Sequence, residues 1–140
     1  MHLISARTAE RSVDEKSSWQ GSAAKPARSH NEALDERALD MCEGMIDIAA
    51  ALFSVSGKEL RRAGRTSLGV SRVRQIAMYV AHVILRLNMT DIGRGFGRDR
   101  TTVAHACHLI EDLRDDEEFN RLVTVTERVV LAAFRNRGVI

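Results

Sequence analysis

Aromatic residues are scarce in this chain: four phenylalanines, one tyrosine and one tryptophan make up 4% of it. Hydrophobic residues nevertheless reach 44%, so a core has to be built from Ala, Val, Ile, Leu and Met. That composition suits slim helices packed closely together. Proline occurs once, at Pro26, and runs of β-branched residues are few, which argues against an all-β fold. Cys42 and Cys107 are the only cysteines and cannot form a disulfide framework. The N-terminus, Met1-His-Leu-Ile-Ser, has no apolar stretch of the kind a secretory signal needs. No apolar run approaches the roughly 18–20 residues required to span a bilayer. These absences make a reducing cytoplasm the expected location, with no membrane partner.

Chemistry is also missing. No Gly-x4-Gly-Lys-Ser/Thr phosphate loop occurs, and no Ser/His/Asp or Cys/His set reads as catalytic. Gly93, Gly95 and Gly97 alternate as in a phosphate cradle, but they follow a helical pattern and lack the Lys-Ser/Thr partner. His105, Cys107 and His108 with Cys42 are conceivable zinc ligands. On one helix, however, positions 105 and 107 point about 200° apart, and Cys107 falls on the apolar stripe. The expectation is a non-enzyme with no cofactor, nucleotide or metal.

What is present is a basic centre. The net charge is only +2, yet Lys58 to Arg100 holds ten Lys/Arg against three acids, a balance of +7. The remainder is therefore acidic by 5. A cationic middle between acidic ends points to a polyanion docking on one face.

Residues 1–31 are polar, charge-mixed and without apolar period, and are expected to be a disordered tail, with Trp19 an isolated aromatic in it. Residues 32–140 read as one helical domain. Leu34, Ala38, Met41, Met45, Ile48, Ala49 and Leu52 recur at helical spacing and predict a long amphipathic helix from Glu32 to about Phe53. Its polar face carries Glu36, Asp40, Glu43 and Asp47, which anionic lipid would repel, so packing inside the domain or on a second copy is expected. Ser56-Gly-Lys-Glu59 matches a capping box and opens a short helix to about Arg62. Ala63 to Val70, with Gly64 and Gly69, is expected to be a loop, and Ser71 to cap the next helix. That helix should bury Ile76, Val80, Val83, Ile84 and Leu87. A last helix from about Asp115 should present Phe119, Leu122, Val123, Val129, Val130 and Phe134.

The most informative stretch lies between, at about 88–114. Asn88 and Asp99 are good helix caps, and Asp91 sits where the first-turn dipole favours an acid. Gly93 and Gly97 supply a close approach and a turn, while Ile92, Phe96, Val103 and Ala106 form an apolar wedge. Cys107, Ile110 and Leu113 continue the inward stripe of the second helix. This is the pattern of a helix-turn-helix. The second helix opens on Asp99, Arg100, Thr101 and Thr102, with His105 one turn on. Arg can bond guanine bidentately, and Thr can reach a base edge, a phosphate or a thymine methyl. Free N–H groups at that terminus suit a phosphate.

Gln75-Ile-Ala-Met-Tyr-Val-Ala, Asp91-Ile-Gly and Phe96-Gly-Arg-Asp-Arg-Thr-Thr-Val-Ala-His-Ala-Cys together resemble the C-terminal, box-reading domain of the bacterial chromosomal replication initiator DnaA. The resemblance covers about Met45 to Phe134. It implies an all-α, Trp-repressor-like domain of about six helices with a central helix-turn-helix. By position it implies base or groove-edge contacts from Asp99, Arg100, Thr101, Thr102 and His105. It implies phosphate contacts from Arg74 and Gln75, with Arg61, Arg62 and Arg65 in or beside a minor-groove loop; Arg98 joins this basic set. Three departures stand out: Arg100 replaces the family's usual histidine, the Phe96-Gly-Arg turn is a glycine shorter than in many members, and the loop is less basic. The family's ATPase signature does not occur in the chain.

The reading that follows is sequence-specific binding of double-stranded DNA at initiator-box-like sites, modulating replication initiation or transcription. The alternative is a protein-interaction module in which the long helix and the C-terminal helix, acidic at its start, bind a partner such as the initiator itself.

Overall fold

The structure, a computed structural model, describes residues 29–138. The expected tail, with Trp19, lies outside the described residues except at its end. Six helices make up the described part: α1 His30–Phe53, α2 Gly57–Arg61, α3 Leu68–Val83, α4 Met89–Phe96, α5 Arg100–Leu113 and α6 Glu117–Asn136. Among these residues there is no strand.

Every helix starts in the same way. An oxygen-bearing side chain just ahead of it accepts the backbone N–H three residues on: Ser29 from Glu32, Ser56 from Glu59, Ser67 from Val70, Asn88 from Asp91, Asp99 from Thr102 and Asp116 from Phe119. These bonds satisfy donors that the first turn cannot pair internally, each serine cap contributing about 1 kcal/mol. Two expected starts shift, and one start falls where expected with only part of its expected cap. The long helix begins at His30, two residues before Glu32, because Ser29 and Glu32 form a full capping box. At Ser56 only the serine half of the box forms, and the Glu59 carboxylate turns to Arg62 at 3.5 Å. The third helix is capped by Ser67 rather than Ser71, whose hydroxyl instead meets Thr66 Oγ1 at 2.9 Å. Gly69 therefore lies in the first turn of α3 and not in a loop, a place where glycine's weak helix propensity matters least.

The core forms where α1 and α3 cross, with α4 laid on α1 and α5 on α3. Met45, Ile46, Leu60, Ile76, Met78, Val80, Ile92, Phe96, Val103, Ile110, Val123, Val130 and Phe134 are fully buried. The wedge residues Ile92, Phe96, Val103 and Ala106 all lie inside, as the spacing predicts. Leu34, Leu52, Val83, Leu122 and Val129 do not. The apolar stripes of α1, α3 and α6 are wider than the faces their neighbours cover.

Two glycines set the geometry of the central turn. A Cβ on Gly93 would stand 2.5 Å from the Arg98 carbonyl oxygen, so only glycine lets α4 approach the start of α5 this closely. Gly97 ends α4 with φ +67, in the left-handed region that L residues avoid at roughly 1–2 kcal/mol. Its N–H and that of Arg98 both return to the Gly93 carbonyl, the latter at 2.8 Å.

The far end of α5 is fastened by a polar knot. Arg114 donates to Asn120 Oδ1 at 2.7 Å, Tyr79 Oη at 3.1 Å and Thr124 Oγ1 at 3.2 Å, and pairs with Glu127 at 3.0 Å. The Tyr79 hydroxyl in turn donates to Glu111. Burial works against the Arg114 charge, but the bonds to Glu127 and Tyr79 outweigh it and hold the guanidinium above its ordinary value. One arginine thus ties α5, α3 and α6 together.

Candidate nucleic-acid interface

The N-terminal turn of α5 stands clear of the protein. Arg100, Thr101, Thr102 and His105 are exposed, while Val103, Ala106, Cys107 and Ile110 occupy the opposite, buried face. His108 is exposed two turns beyond Thr101, extending the open side. Cys42 and Cys107 are buried thiols, the first packed against Gly95 and pushed up to about 12 by burial. Among the described residues no three His, Cys, Asp or Glu side chains come together as a metal site would need.

Asp99 plays a structural part at this site. Its Oδ1 accepts the Thr102 N–H at 2.7 Å, and that bond, with a second to the Thr102 side chain, holds its carboxyl below the usual aspartate value. The sign follows: a folded pKa below the unfolded one means stabilisation present at neutral pH and lost as pH falls through the depressed value. Asp99→Ala is therefore expected to lower the melting temperature and fray the first turn of α5. Asp99→Asn, which keeps the accepting oxygen, should do so much less; thermal melts followed by circular dichroism check both.

The basic residues fall into three groups. Arg65 is exposed in the loop between α2 and α3 and has no ion-pair or hydrogen-bond partner among the described residues. Arg61 and Arg62 are exposed but face acids of the same chain, Arg61 pairing with Glu43 and lying 3.8 Å from Asp47. Arg74 is only 6% exposed. Its Nε donates to the Leu60 carbonyl at 2.8 Å, and its other nitrogens reach the Glu59 carbonyl at 3.1 Å and Thr66 Oγ1 at 3.4 Å. Gln75 accepts from Arg72 at 3.1 Å. Burial first, and then the charge of Arg98, press the Arg74 guanidinium below its ordinary value, though an arginine stays charged there at neutral pH.

Arg98 closes the arrangement. Its guanidinium donates to the carbonyls of Phe96 and Gly97 at 3.2 Å each and to that of Arg62 at 2.6 Å. The loop after α2 is thus bonded to the turn between α4 and α5, placing Arg65's loop beside the exposed end of α5. Arg74 holds the same loop from beneath. Burial of Arg74 has a signal in the sequence: positions 70, 74, 77 and 81 share one helical face, and the other three are Val, Ala and Ala. The half-buried Arg72, absent from the sequence-derived set, had no comparable signal.

A capped helix with an open polar end, set on a glycine-tightened turn beside an arginine-bearing loop, defines a helix-turn-helix domain of the DNA-binding class. Residues 42–110 match the family described as bacterial dnaA protein helix-turn-helix, and this part of the chain belongs to it. The chromosomal replication initiator protein DnaA of Agrobacterium fabrum is 40% identical over 85 residues, and that of Lachnoclostridium phytofermentans 35% over 83. These matches take in 59% and 58% of this chain but only 17% and 18% of the relatives, so the chain spans a small fraction of their length. A solved DNA replication initiation factor superposes with TM-score 0.66 at 25% identity, over 73% of this chain and 32% of that one. A replication initiator DnaA bound to AMPPCP and single-stranded DNA shares the fold, with TM-score 0.65 at 22% identity over 87% and 36%. No described helix is long and apolar enough to cross a membrane.

Proposed function

We propose that this protein binds double-stranded DNA sequence-specifically at initiator-box-like sites, without catalysing a reaction, and so modulates replication initiation or transcription. The observation that carries the reading is the exposed first turn of α5, where Arg100, Thr101 and Thr102 share one open end with no covering element among the described residues. In the major groove this end would set Arg100 and Thr102 against base edges, with His105 and the helix N–H groups toward phosphates. Asp99 acts by fixing the helix start. Arg65, the unpaired cation of the adjoining loop, reaches the minor groove or its phosphates. Arg61 and Arg62 add to the attractive field, though their acidic neighbours weaken it.

Arg74, Gln75 and Arg98 take a different role from the one the family resemblance implies. Gln75 accepts from Arg72 through its Oε1; the guanidiniums of Arg74 and Arg98 are engaged by the protein itself and in this reading hold the loop in register with α5. They are positioning residues. The minor-groove and major-groove elements then act as one rigid reader.

Fluorescence anisotropy with a box duplex and a scrambled duplex of equal length, at low and high salt, tests the function. Specific recognition should leave the box duplex bound at least about tenfold more tightly, a difference of about 1.4 kcal/mol. Affinity for both should fall with salt as counterions are released. Equal affinity for the two duplexes at every salt concentration would overturn sequence-specific reading.

A further inference from the structure

Helix α6 carries a second apolar face that the domain does not use. Phe119, Val123, Thr126, Val130 and Phe134 pack inward. Leu122, Val125 and Val129 point outward at 43%, 54% and 36% exposure, and Ala132 continues their line. The spacing of 122, 125, 129 and 132 alternates three and four, the a/d rhythm of a helix seam. Along one flank of this seam stand Arg121, Arg128 and Arg135, seven residues apart and each exposed. None of the three has a side-chain partner among the described residues, whereas Arg61, Arg62, Arg94 and Arg114 are paired with acids of the chain. The other flank, Thr126 and Ala133, turns into the domain. Beyond its first turn the C-terminal helix carries one acid, Glu127, which is bound to Arg114, and the flank of the seam that faces outward is cationic.

We propose that the outer face of α6 docks an acidic amphipathic helix of a partner protein, its apolar residues on Leu122, Val125 and Val129 and its carboxylates against Arg121, Arg128 and Arg135. The charge row selects the occupant. A second copy of α6 would bring another arginine row and no free acid seam, since Glu127 is already bound to Arg114. Four short side chains also fall well below the roughly 800 Å² per partner of a stable dimer. The first 28 residues of this chain carry five basic and three acidic side chains, so they are not the complement either. A lipid surface would accept cations around an apolar face but requires no seven-residue register.

The test uses the full chain and two synthetic heptad peptides with Leu at a and d, one with Glu and one with Lys at the flanking positions. Binding of labelled peptide is followed by anisotropy. The Glu peptide should bind at least about tenfold more tightly than the Lys peptide, and more weakly as salt rises. The triple variant R121E/R128E/R135E should reverse that preference while leaving duplex affinity and its salt slope unchanged. Val125→Asp should abolish binding of the Glu peptide without changing the melting temperature appreciably, because Val125 touches no core residue's place in the fold. Each of these results would overturn the proposal: equal binding of both peptides, a preference untouched by the triple variant, a duplex salt slope flattened by that variant, or sedimentation showing that α6 instead pairs two copies. Co-flotation with phosphatidylglycerol vesicles that competes away the Glu peptide would overturn it in favour of lipid.

Discussion

Arg74→Ala is expected to destabilise the domain by about 2–4 kcal/mol, because hydrogen bonds from a charged donor contribute about 1.5–3 and leave buried acceptors unpaired when removed. The Leu60 carbonyl loses its donor at the end of α2, the Glu59 carbonyl is left with only the Arg62 N–H at 3.3 Å, and Thr66 keeps only its bond to Ser71. Arg74→Lys should recover only part of this, since one ammonium cannot span carbonyls and hydroxyl as the planar guanidinium does. Urea melts monitored by circular dichroism read the effect directly. The same variant separates the two roles open to this residue. A phosphate contact would leave the melt unchanged and reduce the salt slope of duplex binding by about one charge's worth. A positioning residue lowers stability and weakens specific binding through disorder of the loop.

The double variant Arg100→Ala/Thr102→Ala is expected to lose about 3–5 kcal/mol of affinity for the box duplex, each base-edge contact carrying about 1–3. The scrambled duplex should lose much less, because its binding rests on charge, of which only Arg100 is removed. Both side chains are exposed, and the backbone cap from Asp99 to the Thr102 N–H survives the change, so the melt should fall only slightly, by the lost Thr102 hydroxyl bond to Asp99. Discrimination between the duplexes, measured by anisotropy at one salt concentration, is the quantity to follow. Equal losses on both would sink the assignment of these residues to base reading. Arg100→His, which restores the residue usual in the family, should retain binding and change the preferred base beneath that position.

Much of this molecule was written in local sequence. The six helices, their approximate limits and the central turn follow from caps, glycines and a 3.6-residue apolar period, all of which act over a few neighbouring residues. The exposed end of α5 was legible for the same reason: a cap at Asp99 fixes which side chains share the first turn, and Val103 and Ala106 fix which side faces inward. The resemblance to the DnaA domain added the expectation, carried into the proposed function, that this turn reads DNA.

Tertiary structure decided what local pattern could not. Whether an arginine meets a phosphate or a carbonyl depends on which distant backbone lies beside it, and Glu59 and Leu60 stand about a loop away from Arg74. The same holds for Arg98, whose partner at Arg62 belongs to another element. Width of an apolar stripe is a local property, but how much of it is covered depends on the neighbours. Leu122 and Val129 were apolar at helical spacing and still lie outside, because α1 and α3 offer α6 only one face to pack on.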